Sequence, residues 1–277
     1  MTTTTTNTIN SINSAYTETV EETGIKYPAL QASDYRPKLN AKLTVGIAAS
    51  SWELLIESAV AALSADKTEA QFGDEVTDFF TPKEVRWIVL GLPNLFVTDK
   101  ERNYEHLTRG MKLAGTDKKT VAKLFLVAIV GEILILDDLG HPQVFTLNLK
   151  STKTRLIGKN QDKEGAGTLW SLNNALRKKM EGGKGSWYTS QFSIEIEAKP
   201  EKFTSAINDE SSIGVMFHLE GGARILSEAN QKAVFELLQD RDLRQTMKDP
   251  FHISEPAPET KTTQTIDPDD LEDEIAF

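Results

Sequence analysis

Alternating apolar and polar residues in the middle of the chain predict antiparallel strands. Residues 123–136 form a β-prone, almost uninterrupted apolar run, and residues 137–142, DDLGHP, have the composition of a turn. The next residues, VFTLNL, alternate so that Phe145, Leu147 and Leu149 share one face. This pattern predicts a hairpin or a meander. Further strands are predicted at 42–50, 85–90, 187–198 and 214–220.

Helical periodicity occurs in three segments. Residues 50–67 carry apolar side chains at helical spacing, with Ser50 or Ser51 available as the N-cap. Residues 168–180 also carry apolar side chains at helical spacing; three cations stand near the end of this segment, and a Gly-Gly pair follows it. Residues 226–247 form the third predicted helix. The predicted buried positions are Trp52, Leu55, Ile56, Ala59, Leu63, Leu169, Leu172, Leu176, Met180, Ala233, Leu237 and Leu238.

Strands that follow one another around an inserted helix favour an α+β fold that is mainly antiparallel β. The specific prediction is an OB-like barrel with inserted and flanking helices. Residues 1–25, rich in Thr, Asn and Ser, predict a disordered lead, residues 26–250 a single domain, and residues 251–277 a disordered acidic tail. The lead has no basic stretch before an apolar one, and Glu132 interrupts the longest apolar run, so neither a secretory signal nor a membrane span is predicted.

The net charge of −10 is unevenly distributed along the chain. After residue 250, eight acids against one lysine give a charge of −7, which leaves −3 for everything before. An acidic protein would ordinarily avoid a polyanion, but the local distribution of charge decides which partners can bind. Cysteine is absent, which excludes disulfides, thiolate metal sites and a cysteine nucleophile, and which favours a cytoplasmic location.

Signatures of catalytic sites are missing from the sequence. It contains no Gly-x-Gly-x-x-Gly, no Gly-x-x-x-x-Gly-Lys-Ser/Thr, no His-Glu-x-x-His and no Gly-x-Ser-x-Gly. The four histidines stand singly, and the pair Asp137 and Asp138 is more typical of a hairpin turn than of a metal site. We therefore expect no enzymatic activity, no metal and no cofactor.

The segment from Lys150 to Phe192 combines cations with aromatic residues. Between Lys150 and Lys184, nine bases stand against three acids, a local charge of +6. Single-stranded nucleic acid requires cations that follow its phosphates and aromatic faces on which its bases stack. A structural interpretation stays open, in which Trp170 and Phe192 belong to the core and the lysines to a solvated loop. The candidate nucleic-acid contacts are Lys150, Lys153, Arg155, Lys159, Lys163, Arg177, Lys178, Lys179, Lys184, Trp187 and Tyr188.

Residues 267–277 place six acids ahead of Ile275 and Phe277. The sequence DDLEDEIAF resembles the C-terminal tip of bacterial single-stranded DNA-binding proteins, in which an acidic run closes with an aliphatic residue, a proline and a phenylalanine. Ala276 stands where that family has proline. By this resemblance the tip would recruit partner proteins through Asp269, Asp270, Glu272, Asp273, Glu274, Ile275 and Phe277.

The resemblance implies a sequence-tolerant single-stranded DNA-binding protein of phage or plasmid type, acting in DNA replication, recombination and repair. Its partners would be single-stranded DNA and, through the tail, replication and repair proteins, with no membrane involved and self-association left open. Two alternatives remain. One is an accessory protein that carries the same tail but binds proteins, and the other is an enzyme of an unfamiliar family with a pocket around His218 or Asp137.

Overall fold

Strands are the main secondary structure of the described residues. The computed structural model describes residues 26–72, 75–108, 111, 113, 116–154, 168–169, 171–172, 188–204 and 211–251. The strands are β1 (Ala29–Ala32), β2 (Val45–Ala48), β3 (Asp66–Phe72), β4 (Glu75–Thr81), β5 (Val85–Val89), β6 (Phe96–Thr98), β7 (Tyr104–His106), β8 (Lys119–Val130), β9 (Ile133–Leu134), β10 (Val144–Lys150), β11 (Phe192–Thr204) and β12 (Ser211–Ile225).

Short helices flank these strands. They are α1 (Ala49–Trp52), α2 (Glu57–Leu63), α3 (Glu228–Leu237) and α4 (Arg241–Lys248), with 3₁₀ turns at Ser151–Thr154 and Thr189–Gln191. The described residues between 168 and 172 are helical as well.

The described strands join in one sheet. Its main order is β12-β11-β5-β8-β10-β1-β2-β4-β3; β6 and β9 also pair with β8, and β7 pairs with β6. Neighbouring strands along this order are antiparallel, except that β1 runs parallel to β10. The sheet curls into a half-barrel. The prediction of an α+β fold dominated by antiparallel strands is therefore confirmed at that level.

Strand β8 is buried on both of its faces. Leu124 and Leu126 belong to an apolar cluster that includes side chains of α2, β11 and β12. Phe125 and Val127 belong to a second cluster, which is covered by α3 and α4. Because successive strand residues point to opposite faces, covering both faces requires an uninterrupted apolar run. This explains why the sequence shows no alternation between residues 123 and 130.

The predicted strands are found with changed bounds. The strand expected at 42–50 ends at Ala48, the strand expected at 187–198 begins at Phe192 after a 3₁₀ turn, and the long apolar run is divided. Residues 123–136 form the tight hairpin β8–β9 rather than one strand. Gly131 turns the chain there with a φ of +59°, a backbone conformation that costs glycine little. In β10, Phe145 and Leu147 lie in the first cluster as predicted, and Val144 on the other face is buried as well.

The predicted helix at residues 50–67 is wrong in its extent. The chain forms α1 and α2 instead, and Ile56 between them has an extended backbone. Residues from Asp66 onward belong to β3, because seven residues pair there with β4 and the sheet ladder overrides local helix preference. The predicted burial of Leu55, Ala59 and Leu63 is confirmed.

The other two predicted helices differ in their ends. Residues 226–247 divide into α3 and α4, since the Asp240 carboxylate accepts the Leu243 N–H at 2.7 Å and begins a new helix. Leu169 and Leu172 are buried in the first cluster, whereas residues 173–180 lie outside the described residues. Of the predicted lead and tail, Phe251 alone is among the described residues.

Arg86 ties the β11–β12 hairpin to the rest of the sheet. Among the described residues, the pair in ladder register between β11 and β5 is Ile194 with Trp87. The guanidinium of Arg86, 7% exposed, donates to the Ser193 hydroxyl at 3.0 Å, to the Ser193 carbonyl at 2.9 Å and to the Gly222 carbonyl. It also pairs with the Glu195 carboxylate at 2.5 Å. The β11–β12 ladder is irregular at Glu195, so Arg86 supplies donors where the ladder is interrupted.

Among the helices that the structure describes, none has the length and apolar character needed to cross a bilayer.

Candidate nucleic-acid interface

A cleft of about 330 Å³ opens where one end of β8 meets one end of β10. Lys119 begins β8 and Lys150 ends β10, and the two strands are antiparallel, so these lysines come to the same edge of the sheet. Lys153 follows in the 3₁₀ turn after β10. The β6–β7 turn supplies the opposite wall. We call this site the cationic cleft; its charged and aromatic lining residues are Asp99, Lys100, Arg102, Tyr104, Asp117, Lys119, Lys150, Lys153 and Phe251.

The lining of the cationic cleft is positive in a protein of net negative charge. Five basic residues stand against Asp99 and Asp117 in the lining. Asp117 is paired with Lys100 at 2.8 Å. The remaining positive charge faces a concave surface, where fields of like sign add and attract anions.

Asp99 is committed to holding the β6–β7 turn. Its carboxylate accepts hydrogen bonds from the Asn103 side chain at 2.8 Å and from the backbone N–H groups of Asn103 and Glu101 at 3.0 and 2.9 Å. These bonds, the Asn103 side chain first, lower the pKa of Asp99. The turn that carries Lys100 and Arg102 is therefore held by its own acid.

Two aromatic rings stack on the wall of the cleft. The rings of Tyr104 and Phe251 are parallel within 5°, with centroids 4.5 Å apart. The ring of Phe96 meets Phe251 edge to face, with a centroid distance of 5.2 Å. Parallel stacking at this distance is the geometry in which an aromatic side chain also receives a nucleobase.

Lys153 lies at the inner side of the cleft. Its ammonium is 5.2 Å from the centre of the Phe217 ring, in cation–π geometry. Burial lowers the pKa of Lys153 from 10.5 to about 8. Lys153 faces an opening that other cations line, and burying its charge costs free energy. An anion that enters the cleft offsets this cost and stabilises the charged form of the lysine.

The structure brings together two of the residues predicted to contact nucleic acid and separates a third from them. Lys150 and Lys153 line the cationic cleft. Tyr188 is 65% exposed and lines a different groove, which it shares with Phe235 of α3. The remaining candidates lie outside the described residues, namely Arg155, Lys159, Lys163, Arg177, Lys178, Lys179, Lys184 and Trp187, together with the tail residues Asp269, Asp270, Glu272, Asp273, Glu274, Ile275 and Phe277.

Sequence reasoning missed the other half of the cleft. Lys100, Arg102, Tyr104 and Lys119 lie some 30 to 50 residues before Lys150, counted along the chain. The stretch from residue 99 to 119 mixes acids with bases, so its charge alone does not mark it. Around Tyr104, the three acids Asp99, Glu101 and Glu105 outnumber Lys100 and Arg102, so composition gives no signal for this half of the cleft.

The residues considered for chemistry occupy structural positions. Asp137 accepts the backbone N–H groups of Leu139 and His141 at 2.9 and 2.8 Å, which confirms it as a turn residue. His218 pairs with Glu201 across the β11–β12 hairpin at 2.8 Å. Within the described residues, no group of three or more histidine, aspartate or glutamate side chains is placed to hold a metal ion.

A scan against protein-family models finds no matching family, and searches of curated proteins and of solved structures likewise find no match.

Proposed function

We propose that the protein binds single-stranded DNA with little sequence preference and serves DNA replication, recombination or repair without catalysing a reaction itself. The observation that carries the proposal is the cationic cleft, which five basic side chains line together with the stacked ring of Tyr104. Cations hold the phosphates of any strand, and an aromatic face accepts any base, so this combination binds without reading sequence. Lys150 and Lys153 belong both to the cleft and to the basic segment that the sequence points to.

An OB-like barrel is the narrower structural part of the proposal. It is supported by the curled antiparallel sheet and by the helical residues between β10 and β11. The described sheet has more strands than the five of a minimal OB barrel, so the barrel would be an enlarged one. The binding proposal depends on the cleft and not on this assignment.

Titration of the purified protein with a fluorescent dT homopolymer at two salt concentrations tests the binding proposal. If all five basic side chains of the cleft contact phosphates, the affinity should fall about 100-fold between roughly 50 and 200 mM salt, because each contact releases counterion. Duplex DNA of the same length should bind more weakly, since its bases are not free to stack. No binding at low salt, or a preference for duplex, would refute the proposal.

Replacing Lys153 by methionine is expected to raise stability and to lower DNA affinity. Because burial lowers the folded-state pKa of Lys153 to about 8, the unfolded chain binds more protons between about pH 8 and 10.5. Stability therefore rises with pH through that window, and the cost of the buried charge is fully present below pH 8. Methionine removes this cost and keeps the apolar stem, so thermal unfolding at pH 7 should shift upward by a few degrees.

A second variant, Lys153→Arg, isolates the role of the charge in binding. The affinity of the parent for dT homopolymer should decrease between pH 7 and 9 as Lys153 loses its proton. Arginine keeps its charge throughout this range, so the Lys153→Arg profile should be flat. The exposed Lys38, changed to methionine, serves as control and should alter neither quantity. Parallel pH profiles for parent and Lys153→Arg would contradict the assignment.

We also propose that residues 269–277 recruit replication and repair proteins. The support is the sequence itself, in which an acidic run precedes Ile275 and Phe277 and resembles the tip of bacterial single-stranded DNA-binding proteins. A disordered acidic segment is drawn to basic surfaces, and its apolar side chains can then anchor it in a pocket.

Changing Phe277 to alanine should abolish partner binding and leave DNA binding unchanged. The substitution removes one apolar anchor and keeps every acid, so the long-range attraction remains while the docking contact is lost. Pull-down of a purified repair helicase with the parent and the variant measures the effect. Thr265→Ala is a matched control because it removes a polar side chain from the same tail. Equal recovery by Phe277→Ala and parent would mean that Phe277 is not a docking residue.

An accessory protein that binds other proteins is the second candidate function, and one observation favours it. Leu92, Tyr188 and Phe235 are 53%, 65% and 63% exposed and line one groove of about 830 Å³ between α3 and the residues after β5. Large exposed apolar side chains gathered in a groove mark interaction sites. Phe235→Glu separates the candidates, since it would destroy such a site and leave the DNA affinity of the cationic cleft intact.

A further inference from the structure

Phe251 fills a position on the cleft wall that has the properties of a nucleobase slot. One face of its ring lies against Tyr104, with centroids 4.5 Å apart, and Phe96 closes one side at 5.2 Å. The ammonium of Lys123 is 5.1 Å from the ring centre. The slot therefore offers a stacking face, an apolar edge and a hydrogen-bond donor, which is the set of contacts that a base uses.

The charge of Lys123 is the second observation. This lysine is 6% exposed, and its ammonium donates to the Pro250 carbonyl at 3.3 Å. A buried ammonium requires acceptors, because an unpaired charge in an apolar site is costly. The Pro250 carbonyl and the Phe251 ring therefore lie side by side. A pyrimidine base has the same two features, a ring that can stack and a carbonyl that can accept a hydrogen bond.

The contacts that hold Phe251 on the cleft wall are side-chain contacts, with Tyr104, Phe96 and Lys123. Pro250 and Phe251 follow the end of α4 and belong to no helix or strand. The ring of Phe251 is only half-buried, whereas Phe96 behind it is fully buried. Its exposed side lines the same cleft as Lys119, Lys150 and Lys153. A base attached to a phosphate held by those lysines would therefore arrive at the position of the Phe251 ring.

We infer that Phe251 occupies a nucleobase slot formed by Tyr104, Phe96 and Lys123, and that a base of the bound strand displaces it. This inference rests on the proposed function and adds an internal competitor to it. In the free protein the Phe251 ring covers the Tyr104 face and Pro250 satisfies Lys123. In the complex a nucleobase stacks on Tyr104, its carbonyl accepts a hydrogen bond from Lys123, and residues 250–251 move out of the slot. Because the base binds only when Phe251 is out of the slot, the apparent affinity equals the intrinsic affinity multiplied by the fraction of molecules in which the slot is open.

A cysteine introduced at position 250 reports this displacement directly, because the chain has no cysteine of its own. Pro250 is buried in the free protein. In Pro250→Cys the rate of thiol labelling should be low without DNA and should rise at least about fivefold in saturating dT homopolymer, as for any locally opening segment. Val234→Cys, in the second apolar cluster under α3, is the control and should label slowly with or without DNA.

Phe251→Ala provides the second arm of the test and does not depend on a new cysteine. Removing the competitor should tighten dT homopolymer binding about three- to tenfold at fixed salt. If Phe251 merely packs the end of α4, the substitution should lower thermal stability and leave affinity unchanged or reduced. A parent protein that binds dT homopolymer, with an unchanged labelling rate in Pro250→Cys and no gain from Phe251→Ala, overturns the slot and leaves the proposed function standing. A parent that does not bind at low salt overturns both.

Discussion

Reversing the charges of Lys119 and Lys150 to glutamate is expected to lower the affinity for single-stranded DNA by about two orders of magnitude at low salt, since two attractions become repulsions. Both side chains are exposed and line the cationic cleft, so the fold should be unaffected. The dependence of log affinity on log salt should also become shallower by about 1.4, because each lost phosphate contact on a single strand removes roughly 0.7. Fluorescence titration of dT homopolymer over a salt series measures both quantities.

The matched control changes the same net charge elsewhere. Lys38 and Lys42 are exposed lysines that do not line the cleft, and Lys38→Glu with Lys42→Glu alters the total charge equally. This control should weaken binding only slightly, through the overall field. If both double variants lose affinity to the same degree, the cleft has no special role and the protein's net charge alone governs binding.

Replacing Arg86 by alanine should destabilise the fold by about 3 kcal/mol or more. The guanidinium, 7% exposed, satisfies the Ser193 carbonyl and hydroxyl and the Gly222 carbonyl and pairs with Glu195. Its loss leaves the buried Ser193 carbonyl and hydroxyl without this donor, together with the more exposed Gly222 carbonyl and Glu195 carboxylate. Among the described residues, the β11–β12 hairpin then keeps one residue pair in register with β5. Chemical denaturation of parent and variant measures the change in the free energy of unfolding.

Arg86→Lys tests whether stability depends on the several N–H donors of the guanidinium or only on its positive charge. Lysine keeps the positive charge, but a single ammonium cannot reach all of the acceptors that the guanidinium spans. We expect an intermediate loss of stability, between the parent and Arg86→Ala. A change below about 1 kcal/mol for Arg86→Ala would show that the hairpin is held by its apolar contacts alone.

Much of the sheet could be predicted from local patterns in the sequence. The predictions that are wrong or missing have a common cause, which is pairing between distant segments. The alternation in β10 and the apolar run of β8 are visible in the sequence because side-chain direction follows backbone period. The helix expected at residues 50–67 ends before Asp66 because Asp66–Phe72 pairs with β4, and a pairing partner cannot be read from the segment itself. The parallel contact of β1 with β10 joins residues more than 100 apart and leaves no local signal.

The site was half visible in the sequence for a similar reason. Lys150 and Lys153 stand in a basic segment, so composition identifies them. Tyr104 and Lys119 join them only through the β6–β7 and β8–β10 pairings. Composition places Phe251 at the start of the acidic tail, whereas its ring packs against Phe96 and Tyr104. The members of a cleft that is made by four separate segments can be recognised only once the topology is known.

Photocrosslinking tests the central claim, that single-stranded DNA lies in the cationic cleft, most directly. A dT homopolymer that contains 4-thiothymidine is irradiated with the full-length protein, and the crosslinked peptides are mapped by mass spectrometry. The cleft predicts crosslinks at Tyr104 and in the peptide that contains Lys150 and Lys153, and their loss when Lys119 and Lys150 are both changed to glutamate. Efficient crosslinking that avoids these positions and persists in the double variant would contradict the account.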